Sequence, residues 1–99
     1  MTFAQHVRNA LDSLPPDLRA GLENVAVVVE DEHPEDPDLL GLFESEPYFP
    51  TKVTIYRLPL EDSFPDPEEL EREIRITVLH ELAHYFGIDE DRLEELGYE

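Results

Sequence analysis

The stretch His80-Glu81-Leu82-Ala83-His84, with Gly87 and Glu90 just beyond it, constrains this chain more than any other. Residues four apart on a helix stand on one face, so the two imidazoles can meet one metal ion. Glu81 is turned from His80 by about 100°. Its carboxylate therefore points past the metal, where it can take a proton from water. Two His and an adjacent Glu in this order suit metal-assisted hydrolysis.

The sequence around the motif predicts the helix that it needs. Asp66 stands at the N-cap, Pro67 at the first helical position, and Glu68 and Glu69 in the first turn, where acids favour the positive end of the helix. The helix is expected to run to about Phe86. On a helical wheel Ile74, Ile76, Val78, Leu79, Leu82, Ala83, Tyr85 and Phe86 fill an apolar arc of about 200°. Glu73, Thr77, His80 and His84 occupy the remaining stripe. Such a helix packs on a sheet and leaves its metal face outward. Gly87 ends it, because glycine tolerates the left-handed backbone. The chain can then fold back so that Asp89, Glu90 or Asp91 meets the metal, with Arg92 to Leu96 forming a last helical turn or two.

Upstream, Thr2 caps a first helix carrying Phe3, Val7, Ala10, Leu11 and Leu14, which Pro15-Pro16 stops. His6 and Arg8 fall on its other faces and read as surface residues. Pro16 opens a short second helix through Leu18 and Leu22. Val25 to Val29 is a β-branched run typical of a buried strand. The acidic, proline-punctuated segment 30–38 reads as a solvated loop, and Leu39 to Phe43 as a second strand. Lys52 to Arg57 alternates, with Val53, Ile55 and Arg57 on one face and Lys52, Thr54 and Tyr56 on the other. As the edge near the long helix, that strand would pair with an extended peptide. Pro59 closes it, and residues 61–67 read as a loop. Helices, then strands, then helices make residues 1–99 a single α+β domain, a small mixed sheet packed on a long active-site helix.

Seven Lys and Arg against 25 Asp and Glu give a net charge of −18. Such a surface repels nucleic acid phosphates and anionic membranes, and it favours basic partners. There is no Cys, so zinc here must be held by His and carboxylate. The N-terminus lacks the basic-then-apolar pattern of a secretion signal, and no apolar run approaches a membrane span. A cytoplasmic chain is expected. Two Asn, one Gln and nine Pro lean toward a thermophile.

His80 to Glu90 resembles the zincin metallopeptidases, in whose metzincin branch H-E-x-x-H-x-x-G delivers a third ligand ten residues after the first His. That residue is Glu90 here. The likeness extends over Gly41-Leu42-Phe43-Glu44, Val53-Thr54-Ile55-Tyr56, Thr77 to Ile88 and Leu93 to Tyr98, which look like a minimal zincin-like bacterial family. The resemblance implies a small α+β zincin-like domain, with His80, His84 and Glu90 as zinc ligands and Glu81 as general base. It implies peptide-bond hydrolysis on a peptide or protein substrate that it leaves undefined. The methionine turn of larger metzincins has no counterpart, since the one Met is Met1. Tyr56 or Tyr85, if near the metal, would stabilise an oxyanion, although the place of Tyr85 in the apolar arc favours core packing. Two rival readings are a zinc-binding regulatory or interaction module and a metal-dependent ribonuclease built on H-x-x-x-H-x-x-G-x-x-H. Glu81 and the charge speak against the second.

Overall fold

The computed structural model describes residues 2–87 and 89–95, and the side chains of His84, Tyr85, Phe86, Glu90 and Leu93 lie outside the described set, as do Leu96 and the expected terminus Gly97-Tyr98-Glu99. Helix α1 (Phe3–Asp12) opens on a capping box: the Thr2 hydroxyl accepts from the Gln5 backbone N–H, and the Gln5 side chain accepts from that of Thr2. Its buried residues are Phe3, His6, Val7 and Ala10, one stripe at helical spacing. His6 is thus not the surface residue expected. It stands 6% exposed with Nδ1 2.7 Å from the Glu71 carboxylate, because a buried imidazole needs a polar partner.

Helix α2 (Pro16–Gly21) and a 3-10 turn (Leu22–Asn24) lead into β1 (Val25–Glu30). Strands β2 (Gly41–Glu44) and β3 (Thr51–Tyr56) complete one sheet in the order β1-β3-β2. β1 runs parallel to β3, pairing Val25 with Thr51 through Glu30 with Tyr56. β2 runs antiparallel to β3, pairing Gly41 with Ile55 and Glu44 with Lys52. The sheet is mixed, as expected. β3, however, is its centre rather than its edge, since both of its sides are taken.

Helix α3 (Arg57–Ser63) occupies chain that reads in sequence as a strand end and a loop. Pro59 is its third residue, where a backbone N–H has no partner inside the helix anyway, so proline costs little there. Arg57 donates from Nη2 to Asp31 at 3.0 Å and from Nη1 to Glu61 at 2.6 Å. These hydrogen bonds, that of Asp31 foremost, hold its pKa above the ordinary value. They also tie the chain leaving β1 to α3.

Helix α4 (Pro67–Phe86) is the spine, about 30 Å long at 1.5 Å per residue. Asp66 occupies the N-cap position, although its side chain makes no capping hydrogen bond. Leu70, Ile74, Val78 and Leu82 of α4 pack with Val25, Val53 and Ile55 of the sheet and with Phe3, Val7 and Ala10 of α1. A smaller cluster joins Leu79 to Leu14 and Leu18. Each of the Leu, Ile, Val and Phe side chains contributes about 1.5–3 kcal/mol on burial. The last element is α5 (Glu90–Glu95). Among the described residues no helix is long and apolar enough to cross a membrane.

Candidate active site

The face of α4 that the core leaves free carries the motif. His80 is exposed and Glu81 half-buried, while Thr77, one turn earlier, is buried. His84 follows His80 by four residues within the same helix; its side chain lies outside the described set. Gly87 ends α4 at φ 66° and ψ 31°, with its N–H donating to the Ala83 carbonyl. That left-handed backbone costs a residue with a Cβ about 1–2 kcal/mol, which is why glycine stands at this reversal.

Of the three acids after the turn, Asp89 has a defined task. Its Oδ1 accepts from the Arg92 backbone N–H at 2.9 Å, which makes it the N-cap of α5. Asp91 is exposed. Glu90 is the first residue of α5, and its side chain, like that of His84, lies outside the described set. Among the described residues no three His, Cys, Asp or Glu side chains converge on one point. Two of the three expected zinc ligands stand outside that comparison.

Beside His80 lies a cleft of about 380 Å³, lined by Asp36, Asp38, Leu39, Leu40, Gly41, Thr77, His80 and Glu81. One wall is α4. The other is the acidic loop and the start of β2. That loop is exposed, as expected, and is held by local turns: Asp36 N–H donates to the His33 carbonyl at 3.3 Å, Leu39 N–H to the Asp36 carbonyl at 3.2 Å, and Asp38 N–H to Asp36 Oδ1 at 3.1 Å. The last bond is an Asx turn, which Asp, Pro and Asp in succession favour. Sequence reasoning missed Asp36 and Asp38 as wall residues, and their turn chemistry was the signal available. Among the described residues lining the cleft there is no Lys or Arg. Its charge is set by carboxylates.

Gly41, which the sequence places in a strand but not at the site, also lines the cleft, and the geometry at this residue is tight. A Cβ placed on it would stand 2.6 Å from Thr77 Cγ2, 3.4 Å from the Thr54 carbonyl oxygen and 3.6 Å from Glu81 Cγ. Glycine within a strand often marks such a close approach. The edge strand nearest the motif is therefore β2, while β3, with both sides taken, has no free edge for the peptide pairing that its sequence suggested. Tyr56 is buried at 2% exposure and meets the His33 ring edge-on, with centroids 5.7 Å apart. It does not line the cleft. Burial, with Glu30 and Glu44 nearby, raises its pKa and keeps the hydroxyl protonated. The side chain of Tyr85 lies outside the described set.

No curated protein matches the chain. A family model described as zincin-like metallopeptidase matches residues 22–98, from the turn before β1 to beyond α5. With a long helix presenting His80 and Glu81 to a cleft beside a small mixed sheet, the chain belongs to the zincin-like metallopeptidase family.

Proposed function

We propose that the chain is a zinc-dependent peptidase working in the cleft between α4 and β2, with His80, His84 and Glu90 as metal ligands and Glu81 as general base. The observation that carries this reading is that His80 and Glu81 share one cleft with Gly41, the first residue of an edge strand. The donor set suits zinc, which takes imidazole and carboxylate in tetrahedral sites. His80 and His84 fall on one side of α4 by helical period, and the reversal at Gly87 starts α5 at Glu90. Asp89 is engaged as a cap, which favours its neighbour as third ligand.

A bound zinc supplies Lewis acidity, polarising a carbonyl and acidifying water. Glu81 accepts the proton from the attacking water and passes it to the leaving amine. β2 has β3 on one side, and among the described residues no strand pairs on its other side. An extended peptide can add there through backbone hydrogen bonds. Asp36 and Asp38 on the facing wall favour a basic side chain in the substrate and repel phosphate, so RNA is a poor candidate.

The test is the zinc-loaded chain incubated with a mixture of random peptides and followed by mass spectrometry. Cleavage that stops on chelation and returns with zinc is the expected result. Peptide binding without any cleavage would instead favour the interaction-module reading. A second measurement concerns the third ligand. Glu90→Ala is expected to weaken zinc binding by more than about tenfold. Asp89→Ala is expected to leave zinc affinity unchanged and to cost about 1 kcal/mol of stability, the usual loss for an N-cap. The reverse pattern would assign the ligand to Asp89.

A further inference from the structure

The geometry points to Gly41 as a positioning residue that sets how closely β2 approaches the Glu81 turn of α4. This rests on the hydrolase reading above. Thr77 Cγ2 occupies the space that a side chain at 41 would need, 2.6 Å from an added Cβ, whereas ordinary contact begins at 3.4 Å. About 0.8 Å of separation is therefore missing. Thr77 is 9% exposed and β-branched on a helix, so it has few rotamers into which it can retreat. Nor can the strand easily move, because Gly41 is paired to Ile55, whose side chain is fully buried in the core. Strand and helix would have to part.

What parts is the cleft itself. Thr77 and Glu81 are one helical turn apart on the same face, and both border the space at Gly41. A peptide paired along β2 would have its carbonyl presented to Glu81 across this gap. Displacement of about 1 Å in such a geometry costs about 100-fold in rate. Glu81 Cγ at 3.6 Å lies at ordinary contact distance from the added Cβ, so the conflict is almost wholly with the Thr77 methyl. Removing that methyl should therefore relieve it.

The experiment compares wild type, Gly41→Ala, Thr77→Ser and the double variant Gly41→Ala/Thr77→Ser on a peptide that the zinc-loaded wild type cleaves. Gly41→Ala is expected to lower kcat by about 100-fold with KM changed far less and zinc content unchanged. The double variant is expected to regain at least about tenfold of that loss. Wild-type kcat in Gly41→Ala, or a double variant no faster than Gly41→Ala, would overturn the inference. A merely structural glycine would lower the unfolding midpoint and leave kcat per folded molecule unmoved. The second readout uses the metal-free chain, where Gly41→Ala should lower the midpoint and Thr77→Ser should restore part of it. If the wild type cleaves no peptide, the hydrolase reading fails. The positioning contact is then decided by those midpoints: coupled effects uphold it and additive effects reject it.

Discussion

Glu81→Gln should leave zinc in place and lower peptide hydrolysis by about 10²–10⁴-fold, the usual contribution of a positioned acid–base group. The exchange replaces one carboxylate oxygen by an amide nitrogen and leaves the side chain nearly the same size. Glu and Gln have almost equal helix propensity, so α4 is undisturbed, and Glu81 is only half-buried. The amide cannot accept the proton from water at neutral pH. On the proposed reading, in which substrate pairs along β2, binding should be as before, so the loss belongs in kcat rather than KM. Zinc content, unfolding midpoint and kcat measured on one preparation check this. A Gln variant cleaving at the wild-type rate would remove Glu81 from the role of base.

His80→Ala is expected to lower zinc affinity by well over about 100-fold, since even the loss of a group behind a metal ligand costs about 10–100-fold. His84→Ala should match it, and the double variant should hold no zinc after dialysis. The result is easy to interpret at His80. That side chain is exposed, so its removal opens no cavity, and Ala is the better helix former. The metal-free fold should therefore keep its unfolding midpoint while zinc is lost. Stoichiometric zinc retained in the double variant would break the assignment.

The parts of this structure that were legible in the sequence are those fixed by local chemistry. Pro67 and Gly87 bound α4 as expected, because one tolerates a helix start and the other tolerates φ 66° at its end. Thr2 caps α1 as expected, and the reciprocal bond from Gln5 that completes the capping box is added by the structure. His80 and Glu81 reach the cleft by helical period once α4 is placed, whereas the side chains of His84 and Glu90 lie outside the described set and their assignment as ligands rests on spacing. What was not legible depends on partners distant in the chain. Nothing within Thr51 to Tyr56 tells that β1 and β2 take its two sides. α3 was hidden by Pro59, whose rarity inside helices outweighed its tolerance in a first turn. His6 shares a stripe with Phe3, Val7 and Ala10, but its burial became clear only with Glu71, 65 residues away, beside it. The closeness of Gly41 to Thr77 is likewise a tertiary fact.

The sheet order has one more consequence, at the end remote from β2. β1 is an edge too, and among the described residues no strand pairs with it beyond β3. Val25-Ala26-Val27-Val28-Val29 is thus an apolar edge strand whose outer side no described strand pairs, and Val29 is 39% exposed. Such edges recruit copies of themselves unless Lys, Pro or a bulge guards them, and β1 contains neither Lys nor Pro. Long-range repulsion between chains carrying −18 each supplies the missing guard. That guard weakens in salt, which screens charge beyond about 10 Å at 0.1 M. It vanishes as the carboxylates protonate toward the isoelectric point near pH 4.2. The acidity of this chain is in that sense colloidal armour for its most apolar edge.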